Sequence, residues 1–199
     1  MKDAEVATRH DVSPETAINA ILGHSGPILL DLDETLYLRN STEDYIDSAR
    51  PRLVALLLMR LLDLVKPWRF SGGEVTRDIW RVRLVSLCLP WTDRHWRSRL
   101  TGLATAFTNL RLMAALQAPG AAPVITTTGF RPIVTPLVVA LGLPRAQIVA
   151  ARWSTFADRR DGKLQLVQRA LGDDVVRRAL VLTDSSQDLK LLDACARPL

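Results

Sequence analysis

The sequence contains little cysteine, and its N-terminus carries no long apolar run. Cys88 and Cys195 are its two cysteines, and neither a CxxC pair nor a Cys/His cluster is present to bind zinc. We therefore expect two buried thiols in a reducing compartment. Residues 1–26 include acidic side chains and lack an apolar core segment, so they are not typical of a secretory signal. These absences predict a cytoplasmic protein.

The composition is that of a globular protein with a basic charge. Hydrophobic residues make up 48% and charged residues 24% of the 199 residues, which is too apolar for a disordered chain and sufficient for one catalytic domain with an insertion. The formal net charge of +5 would suit a phosphorylated substrate, an anionic membrane or nucleic acid. Residues 50–111 hold about three basic residues for every acidic one and four of the five tryptophans.

Short apolar runs alternate with helical segments along much of the chain. The apolar runs, at residues 27–32, 123–128, 146–151 and 179–183, have the length and continuity of strands buried on both faces of a parallel sheet. The helical segments are residues 13–22 with Ser13 as N-cap, residues 129–141, residues 163–171 ending at Gly172, and residues 188–196. This alternation predicts an α/β fold with a doubly wound parallel sheet, whose ligands bind beyond the carboxyl ends of the strands.

Residues 46–117 have a different pattern, which predicts three or four consecutive helices. Pro67 with Gly72 and Gly73, and then Pro90, separate these helices. The most apolar part is LVALLLMRLLDLV at residues 53–65, whose length of about 13 residues is short of the ~20 needed to span a bilayer. We therefore expect it to be a buried helix of this helical segment.

Acidic side chains follow the first and the last predicted strand. Asp31 and Asp33 come directly after the first strand, and Asp184 and Asp188 follow the last. Parallel neighbouring strands would bring these four carboxylates to one edge of the sheet, where they repel one another unless a cation is present. Because hard oxygen ligands suit Mg2+, the sequence predicts a magnesium site.

Hydroxyl groups and a lysine complement the predicted acidic cluster. The second strand ends in Thr126, Thr127, Thr128 and Gly129, where a glycine before a helix allows the backbone to approach an anion. The strand register leaves open which of the three threonines contacts it. Lys163, at the start of the helix before the last strand, would supply positive charge to the same place.

Taken in order, these elements resemble the four motifs of the haloacid dehalogenase (HAD) superfamily. The matching segments are DLDET at residues 31–35, the threonine–glycine strand end, Lys163, and TDSSQD at residues 183–188. The resemblance implies a Rossmann-like HAD core, residues 1–36 and 123–199, with a helical C1-type cap inserted at residues 37–122. It also implies a Mg2+-dependent phosphatase that hydrolyses a phosphate monoester through an aspartyl phosphate.

The resemblance also implies a role for each matched residue. Asp31 would be the nucleophile, and Asp33 would protonate the leaving oxygen and then activate water. The residues that bind and neutralise the phosphoryl group would be Thr127, Thr128, Gly129 and Lys163. The Mg2+ ligands would be Asp31, Asp33 through its main-chain carbonyl, Asp184 and Asp188.

Three features depart from the HAD pattern. Glu34 and Thr183 stand where the family frequently has glycine, and we expect the backbone rather than the side chain to matter at both positions. Related folds usually add a strand after the last helix, whereas this sequence ends at Leu199 with no strand signal after residue 196. The predicted sheet is therefore minimal, or the sequence is a fragment.

The helical segment offers a second functional hypothesis. Trp68, Trp80, Trp91 and Trp96 alternate with arginines, a mixture that suits an anionic membrane surface. A non-catalytic HAD-like domain could bind a membrane or a protein partner through this surface, and a phosphatase with such a surface would have a lipid or isoprenoid phosphate as a candidate substrate. Nucleic-acid binding rests on charge alone, without a fold signature, and is not expected.

Overall fold

The computed structural model describes residues 13–117, 123–185 and 188–198. Residues 1–12 of the predicted core, residues 118–122 of the predicted cap, and Ser186 and Gln187 of the last motif lie outside the described residues. The helices are α1 (Pro14–Leu22), α2 (Ser41–Ile46), α3 (Arg52–Val65), α4 (Arg77–Cys88), α5 (Thr92–Phe107), α6 (Leu110–Leu116), α7 (Arg131–Ala140), α8 (Ala157–Leu171), α9 (Asp173–Arg178) and α10 (Leu189–Ala194). Helix α1 begins as predicted, because the Ser13 hydroxyl accepts a hydrogen bond from the Thr16 amide at 3.3 Å.

Within the described residues, five parallel strands form one sheet in the order β3-β2-β1-β4-β5. The strands are β1 (Ile28–Leu30), β2 (Pro123–Phe130), β3 (Gln147–Ala151), β4 (Leu180–Leu182) and β5 (Arg197–Pro198). The predicted α/β fold with a parallel sheet is confirmed, and β1 to β4 coincide with the four apolar runs. The expectation that no strand follows the last helix is wrong, because β5 pairs with β4. A strand of two residues is too short to give a periodic signal in the sequence.

Both faces of the sheet are covered, which explains why its strands read as continuous apolar runs. Ile28, Leu29 and Leu30 are all fully buried. Ile28 and Leu30 pack in the core that contains α7, whereas Leu29 packs in the core that contains α8, α9 and α10. Helices on opposite faces of a parallel sheet are consistent with a Rossmann-like arrangement.

The helices α2 to α6 all lie between β1 and β2, together with two 3-10 turns, Pro67–Phe70 and Gly73–Thr76. Predicted helices in residues 46–117 are therefore confirmed as α3 to α6. The two connections between this helical segment and the sheet run side by side, because the Leu38 amide donates to the Phe107 carbonyl at 2.8 Å and the Asn109 amide donates to the Leu36 carbonyl at 2.9 Å. This antiparallel pairing fixes where the segment leaves the sheet and returns to it.

The prediction that residues 53–65 form a buried helix is half wrong. The segment is helical, as α3, but its buried side chains are Ala55 and Leu62 alone. Leu53 and Leu64 are 75% and 80% exposed. Helix α3 packs on α4 through a narrow stripe, so most of its apolar surface has no neighbour among the residues that the structure describes.

The prediction that both cysteines are buried is wrong. Cys88, the last residue of α4, is exposed and Cys195, directly after α10, is partly exposed. Of the tryptophans in the membrane-surface hypothesis, Trp68 and Trp96 are 2% and 0% exposed and pack inside the helical segment, whereas Trp91 is 45% exposed. Within the described ranges, no helix has both the length and the apolar character to cross a membrane.

Some arginines of the helical segment pair with acidic residues. Arg81 forms ion pairs with Glu43 and Asp78, and Arg97 forms one with Asp93 at 2.8 Å. Arg69 and Arg94 form no ion pair with a described residue, so pairing neutralises only part of the basic charge that the membrane hypothesis invokes.

Candidate active site

Asp31 lies at the carboxyl end of β1, at the point where the order of the strands reverses: β2 and β3 lie on one side of β1, and β4 and β5 lie on the other. Strand β1 lies between β2 and β4, and in a doubly wound sheet the crevice at this switch point is where ligands bind. The Asp31 amide donates to the Leu182 carbonyl at 2.9 Å, which continues the pairing of β1 with β4. The Asp31 residue is 6% exposed, and its Oδ1 accepts a hydrogen bond from the Leu32 amide at 2.8 Å.

Lys163 places an ammonium group between two buried carboxylates. Gly162, with φ 84°, interrupts α8, so the regular helix resumes at Lys163 as the sequence predicted. The Lys163 Nζ lies 2.8 Å from Asp31 Oδ2 and also donates to Asp188 Oδ2. Burial disfavours the charged ammonium, but the attraction of Asp31 and Asp188 outweighs it and raises the pKa of Lys163. Lys163 is therefore protonated at neutral pH.

Thr183 joins the same network through its hydroxyl group. Its Oγ1 lies 2.7 Å from Asp188 Oδ2 and 3.1 Å from Asp31 Oδ2. A hydroxyl has one hydrogen to donate, and the shorter distance assigns it to Asp188. The threonine side chain therefore helps to hold Asp188 in place, a contact that the sequence did not predict.

Asp33 is held by one main-chain and one side-chain group. Its Oδ1 accepts from the Ser41 amide at 2.7 Å, at the start of α2, and its Oδ2 accepts from the Thr127 hydroxyl at 3.4 Å. Burial raises the pKa of Asp33 to about 6, against the opposing effect of the Ser41 hydrogen bond. The next residue, Glu34, has φ 65°, the left-handed region that glycine adopts most easily, which explains the glycine in related motifs.

The structure distinguishes the three threonines at the end of β2. The Thr126 hydroxyl donates to the Leu30 carbonyl at 3.4 Å, within the sheet. The Thr127 hydroxyl faces Asp33 and accepts a hydrogen bond from the Gly129 amide at 2.9 Å. Thr128 lines the adjoining cavity. Of the three hydroxyls, that of Thr127 is the one bonded to a predicted catalytic carboxylate.

Little room is left for a side chain at Gly129. A Cβ at this position would lie 3.1 Å from Thr127 Oγ1 and 3.3 Å from Asp33 Oδ2, so a larger residue would press on both groups. Strand β2 continues to Phe130, two residues beyond the predicted end. The Gly129 amide, predicted to meet an anion, is already bonded to Thr127.

A cavity of about 630 Å³ brings the predicted residues together. Asp184, on its exposed side, accepts a hydrogen bond from the Thr35 hydroxyl at 3.0 Å. The predicted site residues that line the cavity are Asp31, Asp33, Thr127, Thr128, Gly129, Lys163, Asp184 and Asp188. The topology thus collects at one sheet edge residues that are up to 157 positions apart in the chain.

The predicted magnesium ligands agree with Mg2+ in chemistry but are not arranged around a common point. Among the described residues, no three Asp, Glu, His or Cys side chains are grouped so that they could hold a metal. Lys163 occupies one oxygen of Asp31 and one of Asp188. The carboxylates that line the cavity are nevertheless the hard oxygen donors that Mg2+ prefers, and a site that retains water molecules needs only a few of them.

Arg159 is a residue of the cavity that the sequence reasoning missed. Its guanidinium donates to the carbonyls of Thr128 and Val75, both at 3.0 Å, and pairs with Asp78 at 2.8 Å. It therefore connects the helical segment to the end of β2. In the sequence it stands in ADRRD at the start of α8, where an arginine is typical of a solvated helix end, so no local signal could identify it.

Comparisons of the chain with protein-family models, with curated proteins and with solved structures gave no match. What defines the protein is therefore its α/β fold and a polar cavity at the carboxyl edge of the parallel sheet.

Proposed function

We propose that the chain is a phosphatase of the HAD type that hydrolyses a phosphate monoester with Asp31 as its nucleophile. The observation that carries the proposal is the buried Asp31 carboxylate at the tip of β1, in the cavity and 2.8 Å from the ammonium of Lys163. Burial raises the pKa of Asp31, and the ammonium of Lys163 opposes this effect and favours the ionised form. An aspartate held ionised by a lysine can attack phosphorus, and the same lysine can neutralise the incoming phosphoryl oxygens.

The reaction divides into two displacements. In the first, an oxygen of Asp31 forms a bond to phosphorus as the bond to the leaving oxygen breaks, and the carboxyl group of Asp33 gives its proton to that oxygen. In the second, Asp33 takes a proton from water, which attacks the aspartyl phosphate and releases inorganic phosphate and free Asp31. The Ser41 amide and the Thr127 hydroxyl orient Asp33 for both steps.

Magnesium belongs to the proposal through the chemistry of its donors. The ligands would be the carboxylates of Asp31, Asp184 and Asp188 and the main-chain carbonyl of Asp33. When bound, the ion would offset the negative charge of the phosphate against that of the acidic residues. A cytoplasmic location and a small phosphorylated substrate, with a lipid or isoprenoid phosphate among the candidates, complete the proposal.

The experiment compares hydrolysis of p-nitrophenyl phosphate by the unmodified protein and by Asp31→Asn in the presence of Mg2+. We expect Asp31→Asn to lower turnover at least about a thousandfold and to leave the fold intact, because an amide matches the carboxylate in size. Asp161→Asn is the matched control, since Asp161 also lines the cavity, is exposed and has no proposed role. Undiminished activity in Asp31→Asn would end the proposal.

A non-catalytic HAD-like domain is the second candidate. It is favoured by the lack of a grouped set of metal ligands among the described residues. A panel of sugar, amino-acid, nucleotide and lipid phosphates, each tried with Mg2+, separates the two candidates. Phosphate release from any member supports the enzyme, and a chain inactive on all of them supports the binding domain.

A further inference from the structure

Helix α3 presents a broad apolar surface to solvent. The exposed apolar side chains, between 41% and 80% exposed, are Leu53, Val54, Leu56, Leu57, Leu61, Leu64 and Val65, and we call this set the α3 face. Single exposed leucines are common on proteins, but a contiguous group of this kind on a monomer marks a surface that binds something.

The α3 face is one continuous side of the helix. Leu53, Leu57, Leu61 and Leu64 recur every three or four residues and so lie in one row along the axis. The buried residues Ala55 and Leu62 lie on the opposite side, where α3 packs on α4. The helix is thus apolar on two sides, and the smaller side contacts the rest of the protein.

Basic residues predominate in and next to α3. Residues 50–70 contain five basic residues and one acidic residue, a net charge of +4. Of the basic residues, Arg52 pairs with Asp47 at 3.2 Å. The single acid, Asp63, is already paired with Arg77 at 2.6 Å. Arg60 and Arg69 are exposed, and neither guanidinium makes a hydrogen bond or ion pair to another described residue. An anionic partner would therefore complement these basic residues of and around α3, which we call the basic border.

Two exposed apolar residues follow α3 in the chain, and the second of them lines the cavity. Phe70, in the 3-10 turn that follows α3, is 94% exposed, and Val75 in the next turn is 50% exposed. Val75 also lines the cavity that contains Asp31. A partner that covers Phe70 and Val75 as well as the α3 face would therefore lie near the cavity.

We propose that the α3 face docks on the surface of an anionic lipid bilayer, with its leucines at the boundary between headgroups and acyl chains and its basic border against the headgroups. A helix with an apolar face and basic flanks is suited to this position. The 14 residues of α3 extend about 21 Å, less than the ~30 Å hydrocarbon thickness, so the helix lies in the plane of the membrane. A second copy of the chain fits less well, because a symmetric contact would bring two basic borders together.

The test measures co-sedimentation with vesicles of phosphatidylglycerol and phosphatidylcholine in equal amounts. We expect binding at low salt, weaker binding at high salt because headgroup attraction is screened, and little binding to phosphatidylcholine alone. Leu57→Ser/Leu64→Ser should weaken partitioning at least about tenfold, since each serine removes apolar surface from the contact. Leu22→Ser/Leu110→Ser is the matched control, because these leucines are 58% and 74% exposed on α1 and α6, and it should bind as the unmodified protein does.

A second variant tests the charge. Arg60→Gln/Arg69→Gln should weaken binding roughly fivefold for each arginine removed while leaving the melting temperature unchanged. No sedimentation with anionic vesicles at low salt would overturn the proposal. So would a homodimer in analytical ultracentrifugation that Leu57→Ser/Leu64→Ser dissociates, because the face would then bind a second copy. The assay involves no turnover, so a protein that binds vesicles without hydrolysing phosphate would refute the proposed function and leave the docking proposal standing.

Discussion

Replacing Lys163 by methionine tests the electrostatics of the site without reference to turnover. The variant keeps an unbranched side chain, shorter by one atom, and removes the ammonium that contacts Asp31 and Asp188. The three side chains are 6%, 8% and 4% exposed for Lys163, Asp31 and Asp188, so little water can replace the lost charge. Two carboxylates would remain buried without their cation.

The structure sets the size of the expected effect. At the Nζ–Oδ2 distance of 2.8 Å, the attraction between Lys163 and Asp31 is about 6 kcal/mol for an effective dielectric constant of 20. The cost of burying the ammonium offsets part of this attraction. Removing one partner of a buried ion pair typically costs 3–5 kcal/mol, and we expect Lys163→Met to lower the free energy of unfolding by about that amount.

The assay is urea unfolding followed by circular dichroism at neutral pH, with EDTA present so that no divalent cation replaces the ammonium. Lys190→Met is the control, because Lys190 lines the same cavity but is exposed, and its effect should stay within about 0.5 kcal/mol. Lys163→Met/Asp188→Asn should recover part of the loss, since one of the two carboxylates is then neutral. A loss below about 1 kcal/mol in Lys163→Met would refute the reasoning.

The other predictions concern pH and magnesium. Arg152 donates hydrogen bonds to the Asp158 carboxylate at 3.0 Å and lowers the pKa of Asp158. The ionised carboxylate therefore stabilises the fold fully above its unfolded-state pKa of about 4. This stabilisation is lost as the pH falls through the lowered, folded-state pKa. Asp158→Asn should therefore lower the free energy of unfolding at pH 7 by about 1–2 kcal/mol. In chemical unfolding across the acid range, the difference in free energy between the variant and the unmodified protein should vanish. A difference that does not change with pH would contradict the role of the charge. Mg2+ added to protein stripped with EDTA should raise the melting temperature, and Asp184→Ala should reduce that increase; identical melting curves with Mg2+ and with EDTA would remove magnesium from the proposed function.

Local features of the sequence determined the strands β1 to β4, the first helix and the position of the candidate site. Ile28 to Leu30 predict a strand because a strand covered on both faces is apolar at every residue. The Ser13 N-cap acts within one turn of helix, so its signal is complete in the sequence. Asp31 and Asp184 could be placed at one edge because parallel strands of a single sheet direct their carboxyl ends the same way.

Only the tertiary structure decided which apolar surfaces are covered and which polar groups meet. The periodicity of α3 predicts a helix but does not show which side receives a neighbour, and the side that includes Leu57 and Leu64 received none among the described residues. Arg159 bonds to Asp78, 81 positions away, and Thr183 Oγ1 lies 3.1 Å from an oxygen of Asp31, 152 positions away. Such contacts depend on how separate helices and strands pack. A local sequence pattern does not predict which residues far apart in the chain will be in contact.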